Sequence, residues 1–153
     1  MDRDENQGPT DGITPHITIR DGKAIDAIDF YGRAFGAKKA MEPFMADDGK
    51  RIMHAHLLIN GGHLMLNDDF PEYGGAATPP GSTTLHLQVS DADAAWTKAI
   101  GAGATEKMPL ADQFWGDRYG QLIDPYGFTW SIGAPVAAPP DQGEYHPQPA
   151  RPE

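Results

Sequence analysis

The period of the apolar positions changes repeatedly along this chain, and each change marks an element. Ile13-Thr14-Pro15-His16-Ile17-Thr18-Ile19-Arg20 alternates, which predicts a strand with Ile17 and Ile19 on one face and His16, Thr18 and Arg20 on the other. Asp21-Gly22 ends it. From Ala24 to Phe35 the spacing becomes three and four: Ala24, Ile25, Ala27, Ile28, Tyr31 and Phe35 form one stripe of a helix, and Gly36 stops it. A weak strand, Ala40 to Met45, runs into Asp47-Asp48-Gly49. A stronger one, Arg51 to Asn60, carries Ile52, Leu57 and Ile59 on its apolar side, with Ile52 out of strict alternation. His54, His56 and Leu58 take its other side. Asn60-Gly61-Gly62 predicts a hairpin turn, after which His63 to Asn67 sets Leu64 and Leu66 against His63, Met65 and Asn67. His63, beside the turn, is expected to be exposed.

Asp68 to Ser82, rich in Gly and Pro, reads as a linker, and then the order repeats. Thr83 to Val89 is a strand with Leu87 and Val89 opposed to His86 and Gln88. Ser90-Asp91 caps a helix built on Ala92, Ala95, Trp96, Ala99 and Ile100, and Gly101 and Gly103 end it. Thr105 to Leu110 is the next strand. Phe114 to Ile132 is a hairpin turning at Asp124-Pro125-Tyr126-Gly127. Thr14-Pro15-His16-Ile17 aligns with Thr84-Leu85-His86-Leu87, Gly36-Ala37 with Gly103-Ala104, and Gly62 with Gly127, three landmarks in one order.

Each half therefore reads strand, helix, strand, strand, strand, and each helix must cover the apolar face of its own strands. The uncovered faces carry His16, Thr18, His54, His56, His63, Met65, His86, Gln88, Thr129 and Ser131, which include every histidine except His146. Sheets curved around these faces would line a mostly polar hollow, with Trp115, Arg118 and Tyr119 at its rim. Trp96 and Trp130 belong to the core by their apolar faces.

Composition narrows the function. The chain has 153 residues, 39% of them hydrophobic, and a net charge of −10. The polar start, residues 1–12, and the proline-crowded end, residues 134–153, are expected to be disordered, leaving one folded domain over residues 13–133. No basic stripe is present, so nucleic acid is not an expected partner. The acidic surface disfavours anionic membranes, and no run is long and apolar enough to span a bilayer. With no signal peptide, a cytoplasmic location is expected. There is no cysteine, which removes disulfides, thiolate nucleophiles and cysteine metal sites. No nucleophile elbow or phosphate-cradling loop occurs.

Several segments together resemble the vicinal oxygen chelate superfamily, the glyoxalase/bleomycin-resistance/dioxygenase fold, and within it the PhnB-like branch. They are Thr14-Pro15-His16-Ile17, the run Ala27 to Ala37, Ile52-Met53-His54-Ala55, Leu64-Met65-Leu66, Gly103-Ala104, and Phe114-Trp115-Gly116-Asp117-Arg118-Tyr119-Gly120 with Asp124-Pro125-Tyr126-Gly127. The resemblance implies an α+β fold of two βαβββ modules, residues 13–67 and 83–133 joined by a 68–82 linker, in a cup-shaped, barrel-like mixed sheet with helices outside, often as a homodimer. In metal-using members it implies a divalent metal held by the first and last strands of each module. His16 and His86 match the first-strand positions. The last-strand positions, normally carboxylates, fall near Met65 or Leu66 and at Ser131.

Two functions follow. The first is a lyase/isomerase or dioxygenase with zinc, nickel or iron on His16 and His86. The third donor is open among His56, His54 and His63, and Glu42 or Glu106 would be the acid/base group. The second needs no metal: the hollow holds an antibiotic or metabolite against Trp115, Tyr119, Arg118, Met65, Gln88 and Ser131 without turnover. The paired histidines favour the first and the missing carboxylates favour the second. Glu42 and Glu106, in equivalent strands, are otherwise ordinary surface carboxylates, and Asp117 with Arg118 could simply tie the loop.

Overall fold

A computed structural model describes residues 8–74 and 76–136. It comprises two units, Met1–Gly81 and Ser82–Glu153.

The first unit contains β1 (His16–Ile19), α1 (Ala24–Phe35), β2 (Lys38–Lys39), β3 (Phe44–Met45), β4 (Ile52–Ile59) and β5 (Gly62–Asp68). The sheet runs β1-β5-β4-β2, with β3 also on β4. β1 lies parallel to β5, while β4 and β5 form the antiparallel hairpin expected at Asn60-Gly61-Gly62. Alternation places Ile17, Ile19, Ala55, Leu57, Ile59, Leu64 and Leu66 in the core, and α1 buries Ala24, Ala27, Ile28, Tyr31 and Phe35. Ile25, assigned to the same stripe by spacing, is half exposed. Lys23, at the α1 N-cap, offers no side-chain bond. The buried carboxylate of Asp68, the last residue of β5, accepts Ala24 N–H at 2.9 Å and Ile52 N–H at 2.7 Å. Gly36 ends α1 at φ 72°, a conformation that favours glycine.

The single strand expected from Ala40 to Met45 is instead two short ones, β2 and β3. Pro43, with no N–H to give a ladder, lies between them. The expected linker is not featureless either: Asp68 closes β5, and Pro71–Tyr73 form a 3₁₀ turn.

The second unit contains β6 (Thr84–Gln88), α2 (Ala92–Ala102), β7 (Thr105–Asp112), β8 (Asp117–Ile123) and β9 (Thr129–Pro135), in the order β6-β9-β8-β7. Its first strand again lies parallel to its last. Asp91 caps α2 by accepting Ala94 N–H at 3.0 Å. Leu87, Leu122, Trp130 and Ile132 are buried on the helix side, whereas Trp96 is half-buried. A Cβ on Gly120 would lie 2.7 Å from Trp96 Cζ3 and 2.9 Å from Leu110 Cα, so only glycine admits that packing. The Asp124 carboxylate closes the hairpin turn by accepting Tyr126 N–H, Phe128 N–H and the Trp130 indole N–H at 2.9–3.0 Å.

The α+β class and the two βαβββ modules are therefore as expected, with one extra two-residue strand in the first. Each sheet is open, with edge strands β1 and β2 in one and β6 and β7 in the other, so the strands do not close into a barrel. β9 continues through Ala134 and Pro135, past the boundary expected at Gly133, and Ala134 is buried. Residues 8–12 form no helix or strand. The disorder expected for residues 1–7 and 137–153, and His146 with it, lies outside the described residues. Among the described residues no helix is long and apolar enough to cross a membrane.

Candidate functional site

In the second unit the register brings polar residues into rows on the face away from α2. One row runs His86, Ser131, Gln121, Met108 across β6, β9, β8 and β7; the next runs Gln88, Gly133, Tyr119, Ala111. His86 Nδ1 lies 2.7 Å from the hydroxyl of Ser131, and Nε2 lies 2.8 Å from Gln88 Oε1. The amide oxygen can only accept, so Nε2 carries the proton and Nδ1 accepts from Ser131. The imidazole also lies at 5.8 Å and 19° to the Tyr119 ring. Its seat depends on Gly133, where a Cβ would sit 2.9 Å from His86 Cε1. Tyr119 in turn accepts a hydrogen bond from Gln121 Nε2 at 3.0 Å and meets Trp115 edge-on at 5.3 Å. Thus six expected or neighbouring residues, His86, Gln88, Trp115, Tyr119, Gln121 and Ser131, form one connected group. Gln121 was not anticipated from sequence, although its alternation with Tyr119 could have placed it there.

Arg118 and Glu106 are on the other face. Arg118 is one residue from Tyr119, so alternation turns it toward α2. Its Nε and Nη2 donate to Asp93 at 3.0–3.2 Å, and Nη1 donates to Asp112 at 3.0 Å. These carboxylates, Asp93 first, hold its pKa above the usual arginine value. Arg118 therefore ties α2 to the β7–β8 hairpin. Glu106 is exposed and pairs in register with buried Leu122.

The corresponding row in the first unit is His16, Met65, His56. His16 is exposed, its ring 6.1 Å from that of His54. His56 is 1% exposed, and its Nε2 lies 2.7 Å from His63 Nδ1. The rings are 4.9 Å apart at 22°, so they bond edge to edge in nearly one plane. His63 is thus half-buried and bonded, contrary to the exposed position expected beside the turn. Glu42 lines a hollow of about 350 Å³ with Ile25, Ile28 and Ile52, on the α1 side of the sheet. Glu42 lies between β2 and β3, outside either strand.

The family model described as Glyoxalase/Bleomycin resistance protein/Dioxygenase superfamily matches residues 13–132. The chain belongs to that superfamily. The uncharacterized protein Mb0911c of Mycobacterium bovis is 46% identical over 130 residues, covering 81% of this chain and 83% of that one. The crystal structure of PA1353 from Pseudomonas aeruginosa matches with a TM-score of 0.64 at 25% identity, over 80% of this chain and 96% of that one. A PhnB protein from Bacillus cereus matches with a TM-score of 0.63 at 21% identity, over 81% and 99%, which shows a shared fold.

Members of this superfamily often bind divalent metals. Both ring nitrogens of His86 are engaged, and His56 Nε2 is engaged by His63. Among the described residues no group of three or more histidine or carboxylate side chains could hold an ion. Ser131 and Met65, opposite His86 and His16 in register, are not the carboxylates that zinc, nickel or iron would use there. The described residues do not fit a resident divalent metal.

Proposed function

We propose that this superfamily member binds a flat, hydrogen-bonding small molecule on the helix-free face of β6, β9 and β8, without a metal. The observation that carries this reading is the doubly bonded His86 ring stacked on Tyr119. A ring fixed in plane and tautomer is a preorganised surface, which lowers the ordering cost of binding. Tyr119 and Trp115 supply aromatic contact, and Gln88 and Gln121 supply amide groups that can fix a ligand's orientation. Assembly as a homodimer is part of the same reading, because superfamily proteins are often dimers.

The lyase/isomerase or dioxygenase reading has less support. It would require His86 to leave Gln88, and its acid/base candidates Glu42 and Glu106 both lie toward the helix side of their sheets.

Thermal-shift and ligand-observed NMR screens against planar aromatic metabolites and antibiotics test the proposal. Hits should persist in EDTA and be lost in Tyr119→Ala and His86→Ala. Hits that disappear with EDTA and return with zinc, nickel or iron would overturn it.

A further inference from the structure

The first unit holds a second hollow, of about 460 Å³, between the β3–β4 turn and the 3₁₀ turn. Phe70 and Tyr73, with ring centroids 6.5 Å apart, and Met53 line it. Met53 is 59% exposed and Tyr73 86%, so much apolar surface faces water in one place.

One wall is fixed by Arg51. Its Nε donates to Asp48 at 2.7 Å, Nη1 and Nη2 donate to the two oxygens of Glu72, and its guanidinium lies 4.4 Å over the Phe70 ring. Two carboxylates therefore meet one guanidinium. Asp47, also lining the hollow, makes no ion pair among the described residues and adds a further negative charge. Backbone N–H groups of Arg51 and Lys50, then the Arg51 side chain, hold the Asp48 carboxyl down at about 2, so its charge persists well into acid.

Charge complementarity selects the occupant. An anion would meet an excess of carboxylates. A bare metal ion would need several converging oxygens, and no such cluster exists among the described residues. An ammonium attached to an apolar body satisfies both the charge and the rings. Arg51 already covers a face of Phe70, so Tyr73 is the more open aromatic surface for a cation.

We propose that this hollow binds an organic ammonium ion with an apolar body, Asp47 countering the charge and Tyr73 and Met53 contacting the body. It is built from other residues than the His86 face and does not depend on the function proposed there. The test is NMR titration of the full chain with benzyltrimethylammonium, with benzyl alcohol as the uncharged comparison. The cation should shift the Asp47, Met53 and Tyr73 signals saturably in the millimolar range, and the alcohol should bind several-fold more weakly. Tyr73→Ala and Asp47→Asn should each weaken the cation roughly two- to five-fold, as expected for exposed cation–π and ion-pair contacts. Both side chains are exposed, so unchanged signals elsewhere would confirm an intact fold. Equal affinity for the alcohol, unaltered affinity in both variants, or shifts centred on Tyr119 would overturn the proposal.

Discussion

The two units share a topology and meet its polar demands by different chemistry. In both, the first strand lies parallel to the last. In the first unit a single carboxylate at the end of that last strand, Asp68, holds the start of α1 and the start of β4. In the second, α2 is capped locally by Asp91, and the buried Asp124 holds its own turn and the indole of Trp130. The helix-free faces differ in the same way. His56 bonds to another imidazole, whereas His86 is held by a hydroxyl and an amide. The repeat therefore conserves the backbone path and the apolar rows, while the polar groups solve each unit's problem separately. Asp68 acts as a tertiary lock and Asp124 as a local one.

The largest expected effect tests that distinction. Asp68→Ala leaves two buried N–H groups without their acceptor and unpins two elements at once. It should cost about 3–5 kcal/mol, since each orphaned buried group costs about 1–3 kcal/mol. Asp124→Ala loses more hydrogen bonds, but two come from turn residues that are only half-buried, so it should cost about 2–3 kcal/mol. Urea denaturation of both variants measures the difference. An Asp124→Ala cost equal to or above that of Asp68→Ala would break the contrast.

A smaller effect separates the two faces of the second sheet. Gly120 is closed by Trp96 and by the Leu110 backbone, which cannot yield as a side chain can. Gly120→Ala should therefore destabilise by about 1–3 kcal/mol, the usual range for overpacking. Gly133 is closed by the His86 ring and the Gln88 amide, both on exposed residues that can swing away. Gly133→Ala should leave stability within about 1 kcal/mol while displacing His86 from Ser131, visible as a change in the ¹⁵N shifts of the imidazole. If Gly133→Ala is the more destabilising, the His86 seat is a packing feature of the core.

How much of this was legible in the sequence follows the same division. Periodicity located α1, α2 and the helix-facing rows, because burial of Ile17, Ile19, Leu64, Leu66, Leu122 and Ile132 is what the period encodes. It also placed His86, Gln88 and Ser131 on one face. It could not tell that Arg118 would commit its guanidinium to Asp93, 25 residues away on α2, and to Asp112 across the β7–β8 hairpin, because alternation fixes a face and not a partner. The His56–His63 bond was hidden for a related reason. It is a diagonal contact across a hairpin, and alternation gives the shared face but not the partner. The segment around Pro43, expected as one strand carrying Glu42, is two short strands with Glu42 between them. Asp68, assigned to a linker on composition, is the residue on which the first unit converges.

The smallest effect concerns the two arginine clasps. Arg118 pairs with side-chain carboxylates alone, whereas the Asp48 partner of Arg51 also accepts two backbone N–H groups. Those backbone bonds, first from Arg51 and then from Lys50, together with the Arg51 side chain, lower Asp48 from 3.8 to about 2. Arg51 likewise lowers Glu72, chiefly by its hydrogen bonds. A carboxyl with a depressed pKa in the folded state contributes stability that is fully present above its unfolded value and disappears as pH falls through its folded one. The first unit's clasp should therefore steepen the loss of stability between about pH 4 and pH 2. Because the site is exposed, the contribution is small and weakens with salt. Asp48→Asn should flatten that stretch of the acid limb, read from urea midpoints at successive pH values, and leave the midpoint trend above pH 5 parallel to wild type. An acid limb unchanged by Asp48→Asn would mean that the first unit's clasp is no tighter than the unfolded chain's own interactions, and this last asymmetry between the units would disappear.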